Sequence, residues 1–415
     1  MMVELSVNFF YRISGIVFFF IISTQAFSQT EFDSLKRNSN LDSSYQPSSK
    51  PTFVTDYAEV KISGFIQPAF YFDYNNIFDI DLFVTSAIPT NKTTEVNFNR
   101  FHFSANQSRL AFAFKFPTAK KSTTAYLEGD FLSSTTGENA YFRLRHAYMT
   151  YGNFLVGQTW TNFGDVANGP NTLDLEGPNS MPASRVAQVR WSTQVSPEWN
   201  LLFALEEPKN DYTPLDSANA IKAAVPEFVF KPKYQSENLI WVNSIIYKLI
   251  VYTDYEYSFK KTLPAWGVTS SLSYKIPDKT GFRPLGLKKK ELNLFGIIGS
   301  GTQGSVNDFG GLGYEAYPVN ATTLETLLYY GGYISYSFVW NKRWASTYVY
   351  SYLHQEKPVS TNLIFQNSHY FSANAVFALN KYFTIGGEVL YGNKKNHDET
   401  SGSALRILGL IRLLF

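Results

Sequence analysis

The chain has 415 residues, no cysteine, 17% aromatic and 17% charged side chains, and a net charge of +2. Without cysteine there is no disulfide scaffold and no thiolate metal site, and so small a net charge gives no footing for nucleic acid. A mean hydropathy of −0.17 excludes a helical membrane bundle, yet 36 Phe, 28 Tyr and 7 Trp are a supply of rings that a membrane β-barrel uses for its lipid band and interface girdles.

Residues 1–28 read as a secretory signal. Arg12 supplies a basic start, Ile13 to Ile22 a short apolar core, and Ala26-Phe27-Ser28 the small residues that a signal peptidase reads, so cleavage is expected after Ser28. The apolar run is too short to span a bilayer. Residues 29–57 follow as a Ser/Asn-rich zone, typified by Arg37 to Lys50. It has too little apolar surface to offset the entropy of ordering, which predicts a flexible periplasmic arm. No later segment offers about 18 apolar residues in a row, so a membrane location demands a closed barrel. Hydrocarbon tolerates only helices or edge-free sheets.

From Val60 onward the pattern has period two. Leu110, Phe112, Phe114 and Phe116 alternate against Arg109, Ala111, Ala113 and Lys115. Phe371, Ala373, Ala375, Phe377 and Leu379 alternate against Ser372, Asn374 and Asn380, and Phe383, Ile385, Val389 and Tyr391 against Thr384 and Glu388. The last strand sets Leu405, Ile407, Gly409, Ile411, Leu413 and Phe415 against Arg406, Leu408, Leu410, Arg412 and Leu414. Reading turns between such runs gives strands at 60–74, one ending at 116, then 122–132, 141–150, 154–160, 185–194, 198–207 and 226–234. The rest are 238–252, 265–276, 291–300, 326–339, 344–354, 367–379, 382–391 and 403–415. Long loops such as 161–184 alternate with short turns such as Tyr151-Gly152-Asn153, Ser196-Pro197, Asn341-Lys342 and Asn380-Lys381; residues 277–290 break the rhythm by being long where a short turn is due. The fold predicted is all-β: a transmembrane antiparallel β-barrel over 58–415, of about sixteen strands, with both termini on the short-turn side. A barrel of that size leaves an aqueous lumen.

Several segments resemble the DcaP-like family of outer-membrane porins. They are Ser108-Arg109-Leu110-Ala111-Phe112, Leu127-Glu128-Gly129-Asp130-Phe131, Phe142-Arg143-Leu144-Arg145-His146-Ala147-Tyr148, Gly157-Gln158-Thr159-Trp160-Thr161-Asn162-Phe163 and Asp174-Leu175-Glu176-Gly177-Pro178, in that order. The resemblance implies a homotrimeric sixteen-stranded channel favouring small anionic solutes such as dicarboxylates, with a loop folded into the lumen, for which Thr161 to Ser184 is the candidate. Some relatives carry a periplasmic coiled coil before the barrel; residues 29–57 show no heptads.

The lumen-facing candidates for anion selectivity are Arg109, Arg143, Arg145, Arg185, Arg190, Arg406 and Arg412, because a ring of guanidinium groups attracts anions and repels cations. A second reading competes with this one. If one hairpin sets Asp130 opposite Arg143 and Glu128 opposite Arg145, those arginines brace the wall through cross-strand pairs. Trp160, Phe163, Asp165, Asp174 and Glu176 on the loop would supply a constriction, with its carboxylates facing the basic wall across the pore. His146 falls on the face of Leu144 and Tyr148, awkward for a lipid face. The five histidines lack metal-ligand spacing, and no nucleophile elbow, dinucleotide turn or P-loop is present, so no cofactor, metal or catalytic site is expected. Tyr348, Tyr350 and Tyr352 fit a girdle or the barrel wall better than a sugar site. Phe415 resembles the terminal signal read by barrel-assembly machinery. The expected surroundings are therefore outer-membrane lipid, that machinery and small anionic solutes. A structural or adhesive barrel acting through its loops, an outer-membrane hydrolase and a secreted β-sandwich are the alternatives.

Overall fold

The alternation becomes a continuous antiparallel ladder in a computed structural model of the protein. It describes residues 52–54, 57–75, 77, 79–90, 99–117, 122–132, 141–213, 220–223, 225–254, 259–276, 290–320, 322–341, 343–358 and 365–415. Sixteen strands form the barrel. Its first half is β1 (Glu59–Ile66 and Ala69–Tyr74), β2 (Arg100–Ser104 and Arg109–Lys115), β3 (Thr123–Asp130), β4 (Arg143–Tyr151), β5 (Phe154–Trp160), β6 (Arg185–Gln194), β7 (Trp199–Glu206) and β8 (Ala220–Ala223 and Glu227–Gln235). The second half is β9 (Leu239–Asp254), β10 (Phe259–Ile276), β11 (Lys290–Ser300), β12 (Leu328–Val339), β13 (Trp344–Gln355), β14 (Phe365–Ala378), β15 (Phe383–Asn396) and β16 (Ser401–Leu414). Each strand pairs with the next in chain order, and β16 returns to β1 through Leu405↔Tyr74 to Leu410↔Ala69 and Leu414↔Phe65. Phe415 completes the seam: its N–H donates to the Gly64 carbonyl and its carbonyl accepts from the Gly64 N–H, both at 3.1 Å.

The strand count and the alternation of rims agree with the sequence reading, and the boundaries shift. β9 and β10 run to 16 and 18 residues. The sequence reading starts β10 at 265; in the sheet Pro264, which lacks a ladder donor, stands opposite Leu249 and the strand continues back to Phe259. β1 and β2 are each interrupted, β1 at Gln67-Pro68, where the two side-chain amides of Gln67 and Gln107 bond at 2.5 Å instead. The Asn-Lys turns have a local cause. Asn380 Oδ1 accepts from the Tyr382 and Phe383 amides at 2.8 and 2.9 Å, and Asn341 Oδ1 from Arg343 and Trp344 at 2.9 and 3.1 Å.

The signal segment 1–28, the arm as far as 51, the Gly137 loop and residues 277–289 lie outside the described residues. The end of the arm is ordered: Thr52–Val54 pairs antiparallel with Lys61 to Glu59. Along β14, Phe371, Ala373 and Ala375 face outward and Ser368, Ser372 and Asn374 are buried. Among the described residues no helix is long and apolar enough to cross a membrane, and the crossing is made by strands.

Candidate functional site

The segment 161–184 touches inward-facing residues around most of the ring. Thr161 Oγ1 donates to Glu206 on β7 at 2.6 Å, and Lys231 Nζ on β8 donates to the Gly164 carbonyl at 2.6 Å. Ser244 on β9 and Thr269 on β10 donate to the Asn162 and Phe163 carbonyls at 3.0 and 2.9 Å. Farther along, the amides of Leu173 and Asp174 bond Glu388 on β15 at 2.9 and 2.6 Å. Asn179 Nδ2 reaches Ser368 Oγ on β14 at 2.8 Å, and Ser180 meets Ser351 on β13 at 2.9 Å. A segment that leaves β5 and bonds the inner faces of β7–β10 and β13–β15 lies inside the closed ring. It is the lumen loop expected from the sequence.

Two further loops interlock with it. In the first long loop (75–99), the Ser86 amide donates to Asp308 Oδ2 at 2.7 Å, and Thr85 Oγ1 bonds the same carboxylate. Asp308 belongs to the Gly-rich loop (301–327), where Asn307 N–H donates to the Met181 carbonyl at 3.0 Å and Val306 bridges Pro182. Burial pushes the carboxyls of Asp174 and Asp308 up to about 6, although backbone amides donate to both. Glu176 is held well above the usual carboxylate range by burial and by Asp308, Asp174 and Asp79; Arg185 is the cation that opposes this.

The wall from β2 to β6, with β16, carries the basic groups. Its geometry turns on a bulge. Glu128 stands opposite His146 and Gly129 opposite Leu144, so Arg145 is the extra residue. A bulge sets two residues against one and shifts the alternation. Arg145 and His146 therefore both turn inward, 4% and 6% exposed, while Leu144 stays outward at 45%. This corrects the face assigned to His146 from strict alternation: its Nδ1 meets Thr159 Oγ1 at 3.0 Å inside the barrel. Asp130 does face Arg143, with two bonds of 2.9 Å. Arg145 reaches both carboxylates, Glu128 and Asp130, at 2.7 Å. Arg109 lies 3.7 Å from Glu128.

Aromatic rings hold the remaining guanidinium groups. Arg185 lies over Trp160 at 4.9 Å and Arg145 over the same ring at 5.6 Å. Arg109 and Arg412 share Phe65, at 5.3 and 4.7 Å, and Arg412 Nε also donates to Gln67 Oε1 at 2.5 Å. Stacking on a ring face positions a cation while leaving its N–H donors free. Arg185 makes no ion pair or hydrogen bond among the described residues, and Arg109 Nε has no partner. Phe65 was missed in the sequence, where one more ring in an alternating strand carries no mark. Arg185 and Arg190 are five positions apart, so alternation cannot place both inward. Arg190 follows the inward phase of Val186 and Gln188 and bonds Asn162 Oδ1 at 3.1 Å, whereas Arg185 sits at the strand end beside Trp160.

Other expected site residues are drawn into packing. Arg406 is 1% exposed and bidentate to Asp73 at 2.5 and 2.9 Å, with a third bond to the Asp79 carbonyl at 2.8 Å, so it clamps the first long loop. Phe163 is wholly buried in the cluster with Val229, Ile246 and Phe309. Asp174 accepts from the Phe83 amide at 3.2 Å, and Asp165 holds the Asn168 amide at 3.0 Å. Glu176 remains half-buried. Among the described residues no group of His, Asp or Glu is arranged to hold a metal ion.

A closed sixteen-stranded barrel with short turns on one rim, long loops on the other and a loop across its lumen defines an outer-membrane channel. The chain belongs to the DcaP outer membrane protein family, whose sequence model matches residues 18–282. It is similar in structure to the outer membrane channel DcaP of Acinetobacter baumannii, with a TM-score of 0.74 at 20% identity, covering 88% of this chain and 99% of that one. It also resembles the anion-selective porin from Comamonas acidovorans (TM-score 0.54, 11% identity, 86% and 100% covered) and OmpT of Vibrio cholerae (0.51, 11%, 88% and 99%). No curated protein matches it in sequence. Family and fold place the protein in the bacterial outer membrane as a channel rather than an enzyme.

Proposed function

We propose that this channel passes small hydrophilic anions by passive diffusion, with carboxylates, dicarboxylates among them, as the favoured class. The observation that carries this is the β2–β6 and β16 wall. Arg109, Arg143, Arg145, Arg185, Arg190 and Arg412 are gathered there, and Arg109, Arg143 and Arg145 share the two carboxylates of Glu128 and Asp130. A ring rather than an acid positions Arg185, so positive potential and unused donors remain there for a passing anion. On the loop side, burial and the neighbouring Asp308, Asp174 and Asp79 hold the Glu176 carboxyl above its usual range, and Asp174 accepts from the Phe83 amide. The name of the Comamonas porin points the same way for that protein.

A homotrimer fits the wall heights. β5 has 7 residues and β3 has 8. Seven residues at roughly 3.3 Å each, tilted by about 45°, rise only about 16 Å, against an apolar band of about 25 Å. That side needs a protein neighbour more than it needs lipid. Planar-bilayer recording under a salt gradient tests the main reading. The reversal potential is expected to report anion preference, and Arg109→Ala with Arg185→Ala to shift it toward zero. A cation-selective wild type, or an unmoved potential in the double variant, would sink it.

A further inference from the structure

The outer face of β12–β15 carries a feature that conduction does not use. Cross-strand register sets its outward side chains in rows. One row is Tyr348, Ala373 and Val389; the next, toward the long-loop rim, is Tyr350, Phe371 and Tyr391. Ala373 contributes one methyl group between large neighbours, and a groove of about 500 Å³ opens above it. The outward face then changes character within two residues. The following rows are Tyr352, His369 and Asn393, then His354, Asn367 and Lys395. Tyr350 links the two zones: its ring packs 4.7 Å from Phe371 and its hydroxyl meets His369 Nδ1 at 3.1 Å. Beside them, Tyr352 lies 5.0 Å from the His369 ring and Tyr330 4.8 Å from that of His354. Lys395 pairs with Glu399 at 2.6 Å, but both are exposed, and such a pair contributes little and is easily exchanged.

Direction matters here. β12 begins after the long Gly-rich loop and β13 ends at the same rim, so the polar rows lie at the outer-leaflet boundary and the groove below them faces acyl chains. These strands have 12 to 14 residues and span the apolar band unaided, unlike β3 and β5, so this face needs no second copy to shield it.

We propose that this face is a binding site for one outer-leaflet phosphoglycolipid. An acyl chain lies in the groove over Ala373, and the phosphorylated sugar headgroup is held by His354, His369, Asn393 and Lys395. Imidazole, amide and ammonium donors suit phosphate and sugar hydroxyls together, and the tyrosines offer ring faces at headgroup depth.

Native mass spectrometry of the full chain in detergent, titrated with purified lipid A, tests this. Wild type is expected to retain one lipid A per protomer. Ala373→Trp fills the groove from outside and is expected to weaken retention about tenfold, the scale of one lost apolar contact surface. His354→Ala with His369→Ala is expected to weaken it several-fold, and removal of the lipid's phosphates to do the same to wild type. The salt-gradient reversal potential stays put in all these variants, which keeps this test separate from the selectivity reading. Equal retention by Ala373→Trp, or indifference to the phosphates, overturns the proposal. So does loss of the oligomer, rather than of lipid, in Ala373→Trp, since that would make the face a contact between copies.

Discussion

On the β8–β11 side of the lumen, Lys248 is 3% exposed and bonds Glu227 at 3.0 Å, Glu315 at 2.5 Å and the Lys209 carbonyl at 2.6 Å. On the β2–β6 side, the Arg143 side chain is a third exposed, Arg185 rests on a ring, and Arg109, Arg143 and Arg145 share Glu128 and Asp130. The first arrangement sets one ammonium between two buried carboxylates and ties two loops to the wall. In the second, on the function proposed above, positive potential faces the lumen. The two sides then divide bracing from attraction, and the difference lies in whether a cation has buried acids or aromatic faces as neighbours.

The largest expected effect breaks the braced side. Lys248→Met keeps length and volume but strands Glu227 and Glu315 in a buried site. Removing one partner of a buried pair costs about 3–5 kcal/mol. Urea or thermal unfolding in detergent, followed by the β-sheet circular dichroism, is expected to show that loss, with the reversal potential of folded channels unchanged. Full wild-type stability would mean that the network is wet and slack.

The next effect is set by pH and is confined to the loops. Asp174 and Asp308 are raised from 3.8 to about 6 by burial. A raised carboxyl binds its proton more tightly when folded. Its contribution to stability is therefore complete below the unfolded value and is lost as pH rises through about 6. At roughly 1.4 kcal/mol per unit, each group contributes up to about 3 kcal/mol. Hydrogen exchange, corrected for intrinsic rates, is expected to show 170–180 and 303–310 better protected at pH 4.5 than at pH 8. The groups facing them allow this: Tyr370, Glu388 and Arg406 around Asp174, and Thr85 and Lys394 around Asp308. Arginines stay charged throughout, so the basic wall has no matching transition. Better protection at pH 8 would reverse the assignment.

Most of the barrel was legible in the sequence because a strand writes its two faces directly into alternate residues. The sixteen strands, the short-turn rim and the loop 161–184 follow from that and from Gly, Pro and Asn at turns. What alternation could not show is where it slips. The extra residue at Arg145 leaves no signature in Arg143-Leu144-Arg145-His146, because both inward residues are polar either way. Only the bulge explains why His146 is dry and inside. Arg406 and Asp174 were equally opaque. Their partners Asp73 and Phe83 lie 333 and 91 residues away, and nothing local distinguishes a clamped arginine from one that lines a pore.

The smallest effect sharpens the comparison within the basic wall itself. Arg143 and Arg145 both bind Asp130, yet the Arg143 side chain is 33% exposed and that of Arg145 5%. Arg143→Ala leaves Asp130 its bond to Arg145, so its cost is that of one half-exposed cross-strand pair, about 0.2–1 kcal/mol. The unfolding midpoint should barely move. On the function proposed above the anion-to-cation permeability ratio should fall, because Arg143 is the more exposed member of the pair. A variant that melts early with unchanged selectivity would move Arg143 to the braced class beside Lys248. The proposed attraction would then rest on Arg109 and Arg185, which lie over Phe65 and Trp160.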